Sequence, residues 1–206
     1  MNNNSLTNAY PQLAQEWHSI KNGSLTPDNV KPHSRKKVWW LCIKGHEWQA
    51  TINSRSHGAN CPYCLNKKVC KDNSLATLNP ELAKEWHPKK NGKLTPKDVL
   101  PGSGKKVWWL CEKKHEWQAI INNRNQGKKC PYCTNKKVGK DNCLATLNPD
   151  LAKEWHPTKN RYLHPENVTC GSMKKVWWLC QNGHEWQSVI YSRKVSNCPI
   201  CARGKG

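Results

Sequence analysis

The sequence predicts three small α+β modules in tandem, each a short helix packed on a β-hairpin. Three observations lead there. The first is an internal repeat: Trp17, Trp86 and Trp155 stand 69 residues apart, and Cys42, Cys111 and Cys180 keep the same period. The second is thin apolar content: 36% of the 206 residues are hydrophobic and none is Phe, too little for one large core. The third is that Cys and His fall in one fixed order in every repeat. The repeats span residues 4–69, 73–138 and 142–206, which leaves no room for a separate catalytic domain.

The second copy shows the elements most plainly. Asn79-Pro80-Glu81 has the order of a helix start: an Asn cap, Pro in the first turn, and an acidic residue near the positive helix end. Leu82 and Trp86 follow on one face, and the helix is expected to stop near Pro88. Asn91-Gly92 makes a turn, and Thr95-Pro96-Lys97-Asp98 a second, capped one. Val107 to Cys111 is a strand, His115 to Ile121 the returning strand, and 122–129 a polar loop or single helical turn. The stretches between repeats, such as LNKKVCKDNS, are short and polar, compatible with rigid or flexible linkage.

Each repeat carries C-x3-H, a gap of 13 or 14 residues, and then C-P-[YI]-C. The sets are Cys42, His46, Cys61 and Cys64; Cys111, His115, Cys130 and Cys133; and Cys180, His184, Cys198 and Cys201. Two close ligand pairs on tight turns can close a tetrahedron, and Cys3His is a structural zinc set. The sequence therefore calls for three structural Zn2+ ions. Paired disulfides are the competing reading, but they give no role to a recurring His. Cys70, Cys143 and Cys170 do not recur and read as non-ligand thiols.

The run KKVWWLC appears three times. Alternation along a strand puts Val38, Trp40 and Cys42 on one face, with Trp40 shielding the metal, and Trp39 and Leu41 on the other. The helix carrying Leu13 and Trp17 is available to cover Trp39. Either it does so and both tryptophans are core, or one stays exposed as a stacking surface suited to single strands.

The formal charge is +20, from 34 Lys and Arg against 14 Asp and Glu. Three thiolates and one Zn2+ contribute −1 per site, so the loaded protein is +17, which favours polyanionic partners and nucleic acid above all. The candidate contacts are the recurrent Lys36 and Lys37, Lys105 and Lys106, Lys174 and Lys175, the pairs Lys67 and Lys68 and Lys136 and Lys137, and Arg55, Arg124 and Arg193. An Arg before each CPxC knuckle could clamp a phosphate, or could bond loop carbonyls or the recurrent Glu47, Glu116 and Glu185. The Glu-Trp-His motif at 16–18, 85–87 and 154–156 could suggest acid–base chemistry, and a satisfied buried His explains it as well. With four protein ligands each zinc keeps no open position for a catalytic water, and no P-loop, serine triad or paired-carboxylate centre is seen. No apolar run is long enough to span a membrane and the start has no signal-peptide core, so an intracellular, reducing location is expected.

Each repeat thus reads as a run ending in P-x-L-x-x-E-W-H, then L-[TH]-P-x-x-V, K-K-V-W-W-L-C-x3-H-E-W-Q and C-P-[YI]-C. It resembles the zinc-ribbon and treble-clef tandem repeat family of unknown function found in bacteria, phages and large DNA viruses. Some members of that family are joined to nuclease domains similar to the very-short-patch repair endonuclease. The resemblance implies zinc modules that accompany DNA transactions. It supplies no activity. Departures are Ile200 in place of Tyr63 and Tyr132, and a third copy one residue shorter. The expected function is non-enzymatic nucleic-acid binding, DNA before RNA, with no membrane or small-molecule substrate. The alternative is a protein–protein adaptor that docks a nuclease or other nucleic-acid-processing complex through its tryptophans.

Overall fold

The structure, a computed structural model, describes residues 4–203. Each repeat begins with two short helical turns: α1 (Leu6–Ala9) and α2 (Pro11–Ala14) in the first. A two-stranded antiparallel hairpin of β1 (Lys37–Leu41) and β2 (Glu47–Thr51) follows, and then α3 (Ile52–Ser56). The second repeat has α4 (Leu75–Leu78), α5 (Pro80–Lys84), a 3-10 turn at Pro96–Asp98, β3 (Lys106–Leu110), β4 (Glu116–Ile120) and α6 (Ile121–Asn125). The third has α7 (Leu144–Leu147), α8 (Pro149–Lys153), a 3-10 turn at Pro165–Asn167, β5 (Lys175–Leu179), β6 (Glu185–Val189), α9 (Ile190–Arg193) and α10 (Pro199–Arg203). These small α+β modules match the expected class. By their internal contacts the residues fall into two compact units. Among the described residues one holds 4–86 together with 91–104, and the other 87–90 together with 105–203.

The helix is shorter than the sequence suggested. Asn79 caps it, accepting from the Leu82 N–H at 3.1 Å, but α5 ends at Lys84, well before Pro88. The reason is visible in the first repeat. There residues 16–18 leave the helix and lie along the edge of β1: the Leu41 N–H donates to the Glu16 carbonyl at 2.7 Å, and the His18 N–H to the Trp39 carbonyl at 3.2 Å. The third repeat repeats this at 2.7 and 3.2 Å through Glu154 and His156. An unpaired strand edge carries unsatisfied backbone groups, and pairing them outweighs one more helical turn.

That change of path also changes which tryptophan the helical side covers. Trp17 packs edge-on against Trp40 with ring centroids 5.4 Å apart, and Trp155 against Trp178 at 5.3 Å. Trp40 is fully buried with Val38, Trp48 and Ile52 around Cys42 and Cys61. The expectation that Trp17 covers Trp39 is therefore corrected: it lies on the Trp40 face. Trp39, Trp108 and Trp177 are half-buried on the outer face. The Trp17 indole N–H donates to the Leu25 carbonyl at 3.1 Å, which ties the following turn to the core.

The stretch from Leu65 to Ser74 is not a free tether. Asn73 accepts from the Cys70 N–H at 2.7 Å and donates to the carbonyls of Tyr63 and Lys68, both at 2.9 Å, so it wraps the CPYC knuckle. Asn142 does the same for Tyr132 and Lys137 at 2.7 and 2.9 Å. Among the described residues no helix is long and apolar enough to cross a membrane.

Candidate metal centre

The hairpin and the CPxC turn bring the ligands together. In the first repeat the Cys42 N–H donates to the His46 carbonyl at 3.1 Å and the Gly45 N–H to the Cys42 carbonyl at 2.8 Å, which folds C-x3-H into a knuckle. Gly45 takes φ +78° there; Lys114 holds the equivalent position in the second copy at φ 63°. The second knuckle closes through Lys67 N–H to the Pro62 carbonyl at 2.8 Å, with Asn66 at φ 53°.

The result is three Cys3His groups: Cys42, His46, Cys61 and Cys64; Cys111, His115, Cys130 and Cys133; and Cys180, His184, Cys198 and Cys201. In the first, His46 Nδ1 lies 3.4, 3.6 and 3.3 Å from the sulfurs of Cys42, Cys61 and Cys64, and the sulfurs of Cys42 and Cys64 are 3.8 Å apart. The second repeats those four distances. In the third, His184 Nδ1 is 3.5, 3.8 and 3.2 Å from Cys180, Cys198 and Cys201, with Cys180 and Cys201 at 3.8 Å. A tetrahedral zinc with Zn–S about 2.3 Å and Zn–N about 2.0 Å has S···S edges of about 3.8 Å and S···N edges of about 3.5 Å. The donor sets fit zinc. They do not fit disulfides, whose sulfurs are about 2.05 Å apart, and all twelve cysteines are free.

In the first two centres the His has a further partner outside the tetrahedron, which the ligand spacing does not reveal. With Nδ1 turned to the three sulfurs, the His46 Nε2–H donates to Asp72 at 3.2 Å, and the His115 Nε2–H to Asp141 at 2.9 Å. Both acids come from the Lys-Asp-Asn that recurs before the next repeat, and that recurrence was the available signal. Tyr63 and Tyr132 lie against the same imidazoles with centroids 5.4 and 5.1 Å apart. Cys70 sits 3.5 Å from His46 Nε2, beside the first centre and outside its four-ligand set. A carboxylate behind a zinc-bound His fixes its tautomer and raises its basicity. Asp141→Ala is therefore expected to weaken zinc binding at the second centre about 10- to 100-fold, measured by competition against a chromogenic chelator.

The thiols also prescribe a pH dependence. Burial and the neighbouring Cys61 and Cys42 push the Cys64 thiol up to about 11 in the metal-free protein, and burial with Cys130 and Cys111 pushes Cys133 up to about 12. Both are protonated at neutral pH before metal arrives, and zinc must displace those protons. Affinity consequently rises with pH, and each proton released costs about tenfold in affinity per pH unit lowered. Zinc titrations between pH 6 and 8 in two buffers of different ionisation enthalpy measure the slope and the proton count together.

Of the two readings open for the arginines, burial favours the structural one over the phosphate clamp: Arg55, Arg124 and Arg193 are 5%, 6% and 6% exposed. Arg55 lies over the rings of Trp40 and Trp48 at 5.1 and 5.3 Å, donates to the Ala59 carbonyl, and pairs with Glu16. Arg193 pairs with Glu154. The loop carbonyl is a partner the sequence allowed, while the carboxylate is the Glu of Glu-Trp-His and not Glu47 or Glu185. A compact core with few aliphatic side chains uses the guanidinium plane as a filler between indoles.

The His of that motif is structural. The His18 ring accepts from the Ile20 and Lys21 N–H groups at Nδ1, both at 3.3 Å, and its Nε2–H donates to Glu47 at 2.9 Å. Glu47 also takes Lys21, and these donors, Lys21 first and then His18, hold its carboxyl below the usual range. All ten recurrent lysines named from the sequence are exposed.

Short helical turns on a hairpin, closed by paired knuckles around Cys3His, define a small structural-zinc module of the treble-clef kind. Residues 13–67, 82–136 and 151–204 match the family described as "Probable Treble clef zinc finger domain", and the chain belongs to that family. A protein of Escherichia phage T5 named "Putative endonuclease" is 26% identical over 108 residues. The match takes in 50% of this chain and 34% of that protein, so the chain spans about a third of the relative's length.

Proposed function

We propose that the chain is a non-enzymatic nucleic-acid-binding protein, acting inside the cell and on DNA before RNA, built from modules at 4–69, 73–138 and 142–206. The observation that carries this is the sorting of its cations. The recurrent arginines are spent on the core, while Lys36, Lys37, Lys67, Lys68, Lys105, Lys106, Lys136, Lys137, Lys174 and Lys175 all remain in solvent. With zinc loaded the chain still carries a net charge of +17. Lysines of this kind bind phosphates by releasing condensed counterions, and tandem linkage multiplies weak contacts. Four protein ligands per zinc leave the metal no place for a reacting water, which supports a structural role.

Affinity for a DNA fragment is expected to fall steeply with salt, by about tenfold or more between 50 and 200 mM. Lys36→Glu with Lys37→Glu should flatten that slope with zinc content unchanged. A protein that shows no affinity for DNA or RNA at low salt in an anisotropy titration contradicts the proposal.

A second reading has its own support. The phage relative bears the name of an endonuclease, and most of its length lies outside the match. On this reading the modules dock a separate nuclease through their tryptophan faces. A partner captured equally well at low and high salt, and retained by the Lys-to-Glu variants, would favour it.

A further inference from the structure

Trp39, Trp108 and Trp177 are half-buried, while Trp40, Trp109 and Trp178, which follow them, are fully buried. The first of each pair is not needed to fill the core. In the first and third repeats the helical side packs on the second of the pair, through Trp17 and Trp155. Trp39 stands on the outer face of the hairpin opposite Gln49.

Its backbone is nevertheless held on both sides. The Asn22 side chain accepts from the Trp39 N–H at 2.8 Å and donates to the Trp39 carbonyl at 2.9 Å. Asn160 holds Trp177 in the same way, at 2.8 Å for both bonds. One face of each indole carries an ammonium: Lys21 over Trp39, Lys90 over Trp108 and Lys159 over Trp177, each 4.7 Å from the ring centroid. That lysine is held by Glu47, Glu116 or Glu185, and the same carboxylate takes the Nε2–H of the buried His18, His87 or His156 at 2.9 Å. A chain of His, Glu, Lys and Trp therefore presents an indole on a fixed backbone beside an ion-paired ammonium, once per repeat.

We propose that these tryptophans are stacking platforms for unpaired bases of a single-stranded nucleic acid, with Lys21, Lys90 and Lys159 meeting the adjacent phosphates. The proposal rests on the nucleic-acid reading and narrows it from a polyanion to an unpaired strand. Phosphate contact alone requires no half-buried indole on a fixed backbone, whereas a base offers a flat π-face that stacks without regard to sequence. A duplex keeps those faces covered. The net charge of +17 selects a polyanion over an ordinary protein surface. The Lys21 side chain is paired with Glu47 but 40% exposed, so a phosphate can reach its ammonium from solvent as a base approaches the ring.

The test is an anisotropy titration of the zinc-loaded full chain with labelled oligothymidylate, oligouridylate and a duplex of equal length. Trp39→Leu and Trp177→Leu are compared with the unchanged protein, with zinc content and circular dichroism as folding controls. Each substitution is expected to weaken single-strand binding about tenfold while duplex binding moves by less than about twofold. Should a Leu variant lose zinc, Trp39→Phe and Trp177→Phe take its place, with a loss of about threefold expected on the single strand alone. The oligothymidylate and oligouridylate arms tell whether the strand is DNA or RNA. Equal losses on single strand and duplex, or none on either, overturn the platforms while nucleic-acid binding stands. No binding to any of the three probes overturns both readings.

Discussion

Chelating zinc at neutral pH is expected to abolish the tertiary structure of the protein. Near-UV circular dichroism should be lost and the tryptophan emission should shift to the red as Trp40, Trp109 and Trp178 meet water. The reason is the size of the cores. The first contains Leu6, Trp17, Val30, Val38, Trp40, Trp48 and Ile52, and two of its remaining members, Cys42 and Cys61, are themselves ligands. A core this small offsets little of the ordering entropy of its repeat. A structural zinc supplies on the order of 10 kcal/mol gross. The same logic applies to one centre at a time. Cys61→Ala should reduce the bound zinc from three to two and melt the first hairpin, as read by loss of amide protection in 37–51 under hydrogen exchange. An unchanged melting temperature after complete zinc removal would contradict the account.

Arg55→Ala is expected to cost about 3 kcal/mol of stability, through the uncompensated carboxylate and the gap it leaves. Arg55 fills the space over Trp40 and Trp48, satisfies the Ala59 carbonyl, and neutralises Glu16. Removal exposes the two indoles on one side and strands a partly buried carboxylate. Arg55→Lys restores the charge without the planar surface, so it should recover only part of the loss. The informative contrast is with Lys36→Glu and Lys37→Glu. Those changes should alter nucleic-acid affinity and leave the denaturation midpoint in place, whereas Arg55→Ala should lower the midpoint first. Parallel denaturant titrations and salt-dependent binding curves separate the two classes. An Arg55 variant of full stability and reduced affinity would reverse the assignment.

These cases show what sequence alone could carry. The twelve metal ligands were legible because tetrahedral ligation demands fixed residue types at fixed separations, and three copies removed accidental matches. The hairpin was legible from period-2 alternation, which placed Trp40 with Cys42 correctly. The arginines were not, because a sequence shows a charge but not its burial. Only the structure shows that Arg55 lies between indoles. The helix length was not legible, because what draws Glu16 and His18 out of the helix is a strand edge more than twenty residues away, which local propensity cannot see. Asp72 and Asp141 were passed over because they sit in stretches that read as polar linkers. Their role appears only once Asn73 and Asn142 fold those stretches back onto the knuckles. The two tryptophans of each pair are unlike residues: one is core, and the other stands half-buried on the outer face with a lysine over its ring.

The most direct measurement of the central claim is native mass spectrometry of the intact chain purified under reducing conditions. The dominant species is expected to carry three zinc ions, its mass also short of the protons released by the ligating thiols. The Cys61→Ala, Cys130→Ala and Cys198→Ala variants should each carry two. A folded chain with no metal, or one whose cysteines are lost to disulfides instead of zinc, would contradict it.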